Sequence, residues 1–116
     1  MQMPTQAMLL RVFIGEDDRA DDQPLYEAIV LKAREAGLAG ATAWRGGMGY
    51  GQSSTLHTMK LLRLSEDLPV VVEIVDAEEK VRAFLPMLET LVVSGLVTME
   101  KVEVIKYGKG SSEPAT

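Results

Sequence analysis

The 116 residues, 47% hydrophobic and 25% charged, have the size and composition of one ordinary globular domain, and a chain this short leaves surface that a neighbouring subunit can cover. A net charge of -5, with acidic residues spread along the chain, supplies no sustained basic face and argues against nucleic acid as a partner. The lack of cysteine excludes disulfides and thiolate metal sites. The opening MQMPTQAMLL lacks a basic n-region and no apolar run reaches the ~20 residues of a membrane span, so a cytoplasmic protein with no membrane insertion is expected.

In chain order, MLLRVFI (8–14) is apolar on both faces and predicts a central strand ending at Gly15. The acidic GEDDRADDQP follows. Asp21 or Asp22 is placed to cap a helix with Pro24 in its first turn; Leu25, Ala28, Ile29, Ala33 and Ala36 recur at helical spacing up to Gly37, a suitable C′ residue. AGATAW (39–44) predicts a second strand, and RGGMGYGQSS opens a long connection over about 46–67. LPVVVEIVD (68–76) predicts the third strand by its alternation. Asp76 and Glu79 have capping-box spacing, and Val81, Phe84, Leu85, Leu88 and Val92 mark one face of a second helix closed by Gly95. Pro86 inside it predicts a kink or a restarted turn. VTMEKVEVIKYG then alternates as a fourth strand through Lys106, and residues 1–7 and 108–116 are expected as loose tails around a domain of 8–107.

Two strand-helix-strand units in this length give an α+β ferredoxin-like (βαββαβ) sandwich: a four-stranded antiparallel sheet with both helices on one face. The other face keeps apolar residues, among them Leu9 or Leu10, Val71, Val75 and Ile105, and burial against copies of the chain is the simplest way to cover them. Long connections in compact domains carry function or stay disordered, which directs attention to 46–67.

The glycines at 46, 47, 49 and 51 admit two readings. They form the base of a mobile loop, or they let successive N–H groups converge on an anion by adopting positive φ. No Lys-Ser or Lys-Thr follows as in a P-loop, and Gln52 stands where a dinucleotide fingerprint needs its third glycine. Their position after strand two resembles the PII signalling family, in which a Gly-x-Gly pair followed by Gln roots a large loop beside a nucleotide site. Gly47-Met48-Gly49 matches that pair, with Gln52 one residue further on. The resemblance covers about 8–107 and is closest to the PII-like branch called domain of unknown function family 190, where GYG after strand two, FLP in helix two and GLVT before strand four recur.

That resemblance implies a homotrimer binding adenine nucleotides (ATP, ADP or AMP) in clefts between subunits, and a protein partner, a transporter, channel or enzyme, engaged through the 46–67 loop. It places the ligand beside Gly47, Gly49 and Gln52; the amide of Gly51 and the charge of Arg45 or Lys106 are the further contacts expected from the residues themselves. Two departures stand out: SGLVTMEK replaces the Gly-Asp-Gly-Lys turn that holds phosphates in PII, and Lys101, Lys106 and Lys109 stand where PII has late arginines. Arg45, Lys60 and Arg63 flank the loop as phosphate partners or as ordinary surface charge. His57 is isolated from other ligands and predicts no metal site. Glu16, Asp17, Asp18, Asp21 and Asp22 lack calcium-loop spacing and read as a solvated turn. Trp44 packs in the core or an interface, or stacks on a base. Ser53, Ser54 and His57 are close in sequence without a third member, so a non-enzymatic regulatory protein is expected, with no cofactor beyond the nucleotide ligand. The alternative is a metal- or small-molecule-tolerance trimer of the same fold that binds no nucleotide; an enzyme acting in the loop cleft is the third reading.

Overall fold

The computed structural model describes residues 5–49, 57–58 and 68–108. In chain order the elements are β1 (Gln6–Gly15), β2 (Arg19–Ala20), β3 (Gln23–Pro24), α1 (Leu25–Glu35), β4 (Ala41–Arg45), β5 (Met48–Gly49), β6 (His57–Thr58), β7 (Pro69–Asp76), α2 (Glu78–Leu91) and β8 (Leu96–Glu103). The main sheet has the order β4-β7-β1-β8 with every pair antiparallel. The chain thus follows the βαββαβ path predicted from the sequence, with both helices against one sheet face.

Alternation in β1 and β7 decides which face is core. Leu10 and Val12 of β1 and Val72 and Ile74 of β7 are fully buried and meet Ile29 and Ala33 of α1 and Val81, Phe84 and Leu88 of α2. α1 ends as the sequence predicts. Gly37 has φ +79°, its N–H donates to the Arg34 carbonyl at 3.1 Å, and the Leu38 N–H donates to the Ala33 carbonyl at 3.1 Å, a Schellman closure.

Local details differ from expectation. Neither Asp21 nor Asp22 caps α1. They form the two-residue turn between β2 and β3, Asp21 at φ 57°, and Pro24 stands at the N-cap without a side-chain cap bond. Asp76 does not form a capping box either. Its Oδ1 accepts from the Ala77 N–H at 2.6 Å and its Oδ2 from the Ala39 N–H at 2.8 Å, so it ties the start of α2 to the segment before β4. α2 runs uninterrupted through Pro86, with no restarted turn. Pro86 is exposed, on the side of the helix away from the core. β1 begins at Gln6, two residues ahead of the predicted start, and the Thr5 carbonyl accepts from the Val104 N–H at 2.7 Å. β8 stops at Glu103, three residues short of Lys106.

The face away from the helices carries Leu9, Arg11 and Phe13 from β1, Val71, Glu73 and Val75 from β7, Thr42 and Trp44 from β4, and Leu96, Thr98 and Glu100 from β8, by register. No helix among the described residues is long and apolar enough to cross a membrane.

Candidate functional site

The ends of β1 and β4 and the start of β7 meet at one end of the sheet. There the 46–67 segment leaves and returns. The Gly46 N–H donates to the Pro69 carbonyl at 2.6 Å, the Glu16 N–H donates to the Leu68 carbonyl at 2.8 Å, and Arg45 Nη2 donates to Glu16 Oε2 at 2.8 Å. Beyond this root, β5 and β6 pair as Met48↔Thr58 and Gly49↔His57. Tyr50, Gly51, Gln52, Ser53, Ser54, Met59, Lys60, Arg63 and Lys109 lie outside the described residues, as does the expected mobility of this loop.

Two of the glycines at the root have a steric reason within the fold. Gly46, Gly47 and Gly49 are absent from the positive-φ residues. A Cβ on Gly46 would lie 3.0 Å, and one on Gly49 3.1 Å, from Cγ of Pro69, whereas a Cβ on Gly47 would meet nothing within 4 Å. Two of these glycines therefore make room for the Pro69 ring, and the Gly46 N–H is already used within the chain. Gly46→Ala should lower stability by about 1–2 kcal/mol through forced displacement of that ring, and Gly47→Ala should change it by less than about 0.5 kcal/mol. Urea unfolding of both variants, and of Gly46→Ala combined with Pro69→Ala, checks this. Equal losses for Gly46→Ala and Gly47→Ala, or no recovery with Pro69→Ala, would show that close packing on Pro69 is not what the glycines serve.

Beside the root, on the open sheet face, lies a pocket of about 440 Å³ lined by Arg11, Phe13, Trp44, Arg45, Gly46, Val71 and Glu73. Its apolar wall is Phe13, Val71 and Trp44, the last 59% exposed and so not a core residue of this chain. At its polar end Arg11 Nε donates to Glu73 Oε2 at 2.8 Å and Arg11 Nη1 to Glu100 Oε1 at 2.7 Å. The bond to Glu73, and after the opposing effect of desolvation the bond to Glu100, raises the Arg11 pKa above its ordinary value, so this guanidinium stays charged. Among the described residues no group of three or more His, Asp or Glu is placed to hold a metal ion.

Arg45, Gly47 and Gly49 therefore share one end of the sheet, but Lys106 does not join them. Arg45 pairs with Val70 at the start of β7, while Ala41, four residues earlier, pairs with Ile74 near its end. β8 finishes at that second end, where Gln6 pairs with Glu103, and the chain continues until the Tyr107 hydroxyl donates to the Ala39 carbonyl at 3.2 Å. Along β1 the Arg45 level, at Ile14, and the Glu103 level, at Gln6, lie eight residues apart, about 26 Å at ~3.3 Å per residue. One anion cannot touch Arg45 and Lys106 of the same chain at once.

Residues 7–104, nearly the whole sheet and both helices, match the DUF190 family, described as Uncharacterized ACR. The chain belongs to this family. A UPF0166 protein of Aquifex aeolicus is 44% identical over 97 residues, covering 84% of this chain and 91% of that one. Among solved structures, CPII, a nitrogen regulatory PII-like protein from Thiomonas intermedia K12 bound to ADP, AMP and bicarbonate, superposes with a TM-score of 0.61 at 19% identity over 87% of this chain and 90% of its own. CutA from Synechococcus elongatus PCC7942 gives a TM-score of 0.57 at 12% identity over 90% of this chain and 81% of its own. At such identities these likenesses establish the fold, and the DUF190 chain is a PII-like protein by fold.

Sequence reasoning missed Arg11, Phe13, Glu16 and Glu73 as residues of this region and placed Val71 on the open face without linking it to the loop root. The alternation of LPVVVEIVD already put Val71 and Glu73 on one face. Their partners on β1 follow only once the β1–β7 register, Arg11↔Glu73 and Phe13↔Val71, is known.

Proposed function

We propose that the protein is a PII-like regulatory protein, a homotrimer that binds an adenine nucleotide at the 440 Å³ pocket and presents the 46–67 segment to a partner protein. The observation that carries this reading is the pocket's position. It combines an apolar wall able to receive a base with two guanidinium groups, directly beside the glycine root of the long segment. The nucleotides in the CPII structure support the choice of ligand. A site drawing Arg45 from one copy and Lys106 from another is consistent with the two residues standing at opposite ends of one sheet, and Gly47, Gly49, Gly51 and Gln52 complete the candidate contacts. Assembly is supported by the open face, where Phe13, Trp44 and Leu96 are exposed. It is supported too by the two edge strands, β4 and β8, which pair on one side only among the described residues and which a head-to-tail ring of copies would cover.

The second reading is a trimer of the same fold that serves metal or small-molecule tolerance without a nucleotide. It is favoured by one feature of the pocket: both of its arginines are already paired with carboxylates of the same chain.

Thermal denaturation with ATP, ADP, AMP, cyclic dinucleotides and divalent metal ions separates the two, because a ligand of the native state must raise its melting temperature. An adenine nucleotide at a hundred times its Kd is expected to raise it by several degrees. Light scattering should return three times the 12.7 kDa chain mass. A monomer mass removes the trimer, and no shift with any adenine nucleotide removes the nucleotide reading.

A further inference from the structure

The charges around the pocket oppose the ligand proposed for it, and the way they are held shows how the opposition is relieved. Arg11 and Arg45 are engaged by Glu73, Glu100 and Glu16, so two cations against three carboxylates leave the group net negative. An approaching phosphate meets no free cation among them. The two arginines are held differently. Arg11 lies on the central strand β1, clamped from β7 on one side and β8 on the other by two bonds of 2.7–2.8 Å. Arg45 ends the edge strand β4, its side chain is 55% exposed, and its one ion pair among the described residues runs through Nη2 to a Glu16 side chain that is 18% exposed.

We propose that Glu16 is the resident counter-ion of Arg45, and that an anionic ligand binds by displacing the Glu16 carboxylate from that guanidinium, so that Glu16 sets the affinity of the pocket. The inference rests on the nucleotide reading above. Arg45 is the arginine that can be released. Its planar group offers five donors in a fork that matches a phosphate edge, and its own side of the ion pair is more than half exposed, so a ligand can reach the guanidinium while Glu16 still holds it. Arg11, with both flanking strands supplying a carboxylate, stays in place with its charge more than balanced. Glu16 keeps its place during the exchange because its N–H is bonded to the Leu68 carbonyl.

Titration calorimetry with ADP and, separately, with inorganic pyrophosphate on the wild type, Glu16→Gln, Arg45→Gln and the double variant tests this. Glu16→Gln should bind both probes about fivefold more tightly, Arg45→Gln should bind more weakly, and the double variant should match Arg45→Gln, because the gain needs the arginine. Binding by Glu16→Gln alone, with none by the wild type, would also support the competition. If the wild type binds and Glu16→Gln binds equally or less well, Glu16 orients Arg45 instead and the inference fails while the nucleotide reading stands. If neither binds either probe, both fail. Should Glu16→Gln not fold, the Arg45 side-chain Nε–H resonance in the wild type, assigned by its loss in Arg45→Gln, must shift on adding ADP, and an unmoved resonance overturns the exchange.

Discussion

Gly95→Ala is expected to lower the melting temperature by about 12–20 °C, corresponding to about 3 kcal/mol in a domain of this size. A Cβ at this position would stand 2.8 Å from the Phe13 carbonyl oxygen, 3.1 Å from Cγ2 of Ile14 and 3.2 Å from Cγ1 of Val92. The nearest of these is backbone of β1, which is paired on both sides, Phe13 to Val71 of β7 and to Leu96 of β8. It cannot retreat without loosening the sheet. Gly95 also has φ +157°, at the limit of the region that side-chain-bearing residues avoid. Gly40→Ala, where a Cβ would meet nothing within 4 Å, is the matched control and should melt within about 2 °C of the wild type at the same protein concentration. A Gly95→Ala protein that melts with the control would mean that β8 can shift outward at little cost. Phe13 and Leu96 would then be loosely set beside the pocket instead of fixed.

Gly95 read in the sequence as the residue that closes the second helix, but α2 ends at Leu91 with an extended Val92 at its C-cap, and Gly95 instead leads into β8 at Leu96. The Schellman closure at Gly37 was fully legible, because its reasons lie within five residues of chain. The strand alternation from Val70 to Val75 was legible too, because a two-residue period needs no knowledge of the partner strand. What was hidden depends on contacts far apart in sequence. Gly46 and Gly49 answer to Pro69, twenty or more residues away, so reading them alone suggested positive φ where the cause is a proline ring. Arg45 and Lys106 both looked available to one anion, and only the strand directions show that they stand at opposite ends of the sheet. Arg45 read as a phosphate partner or as ordinary surface charge, and nothing in GEDDRADDQP says that Glu16, and not one of its acidic neighbours, comes beside the end of β4.

The aspartates show a further limit, where two local solutions compete for the same residues. Asp21 and Asp22 suit a helix cap and a tight turn alike. The hairpin wins because Arg19–Ala20 and Gln23–Pro24 pair across them, which leaves Pro24, with no side-chain acceptor, at the helix start. Asp76 likewise has the spacing of a capping box with Glu79, but its second oxygen is claimed by an amide 37 residues earlier.

That claim gives Asp76→Ala the other large expected effect, a loss of about 2–4 kcal/mol. Asp76 is 1% exposed, and both of its oxygens accept from backbone amides, Ala77 at 2.6 Å and Ala39 at 2.8 Å. Truncation leaves two N–H groups without acceptors in a place where water has little access, and removes a negative charge from the start of α2. Asp76→Asn separates chemistry from volume. The amide has the same shape, but its NH₂ must face one of the two donors, so Asn should cost nearly as much as Ala, whereas a residue that merely fills space would tolerate it. Urea unfolding gives the losses. Amide hydrogen exchange gives their location, with faster exchange expected first at Ala39 and Ala77. Ala39 is held on its other side by the Tyr107 hydroxyl, so the two bonds together fix the connection from α1 into β4, the edge strand that delivers Trp44 and Arg45 to the pocket. An Asp76→Asn protein within about 0.5 kcal/mol of the wild type, with unchanged exchange at Ala39, would mean that β4 is positioned by its ladder with β7 alone.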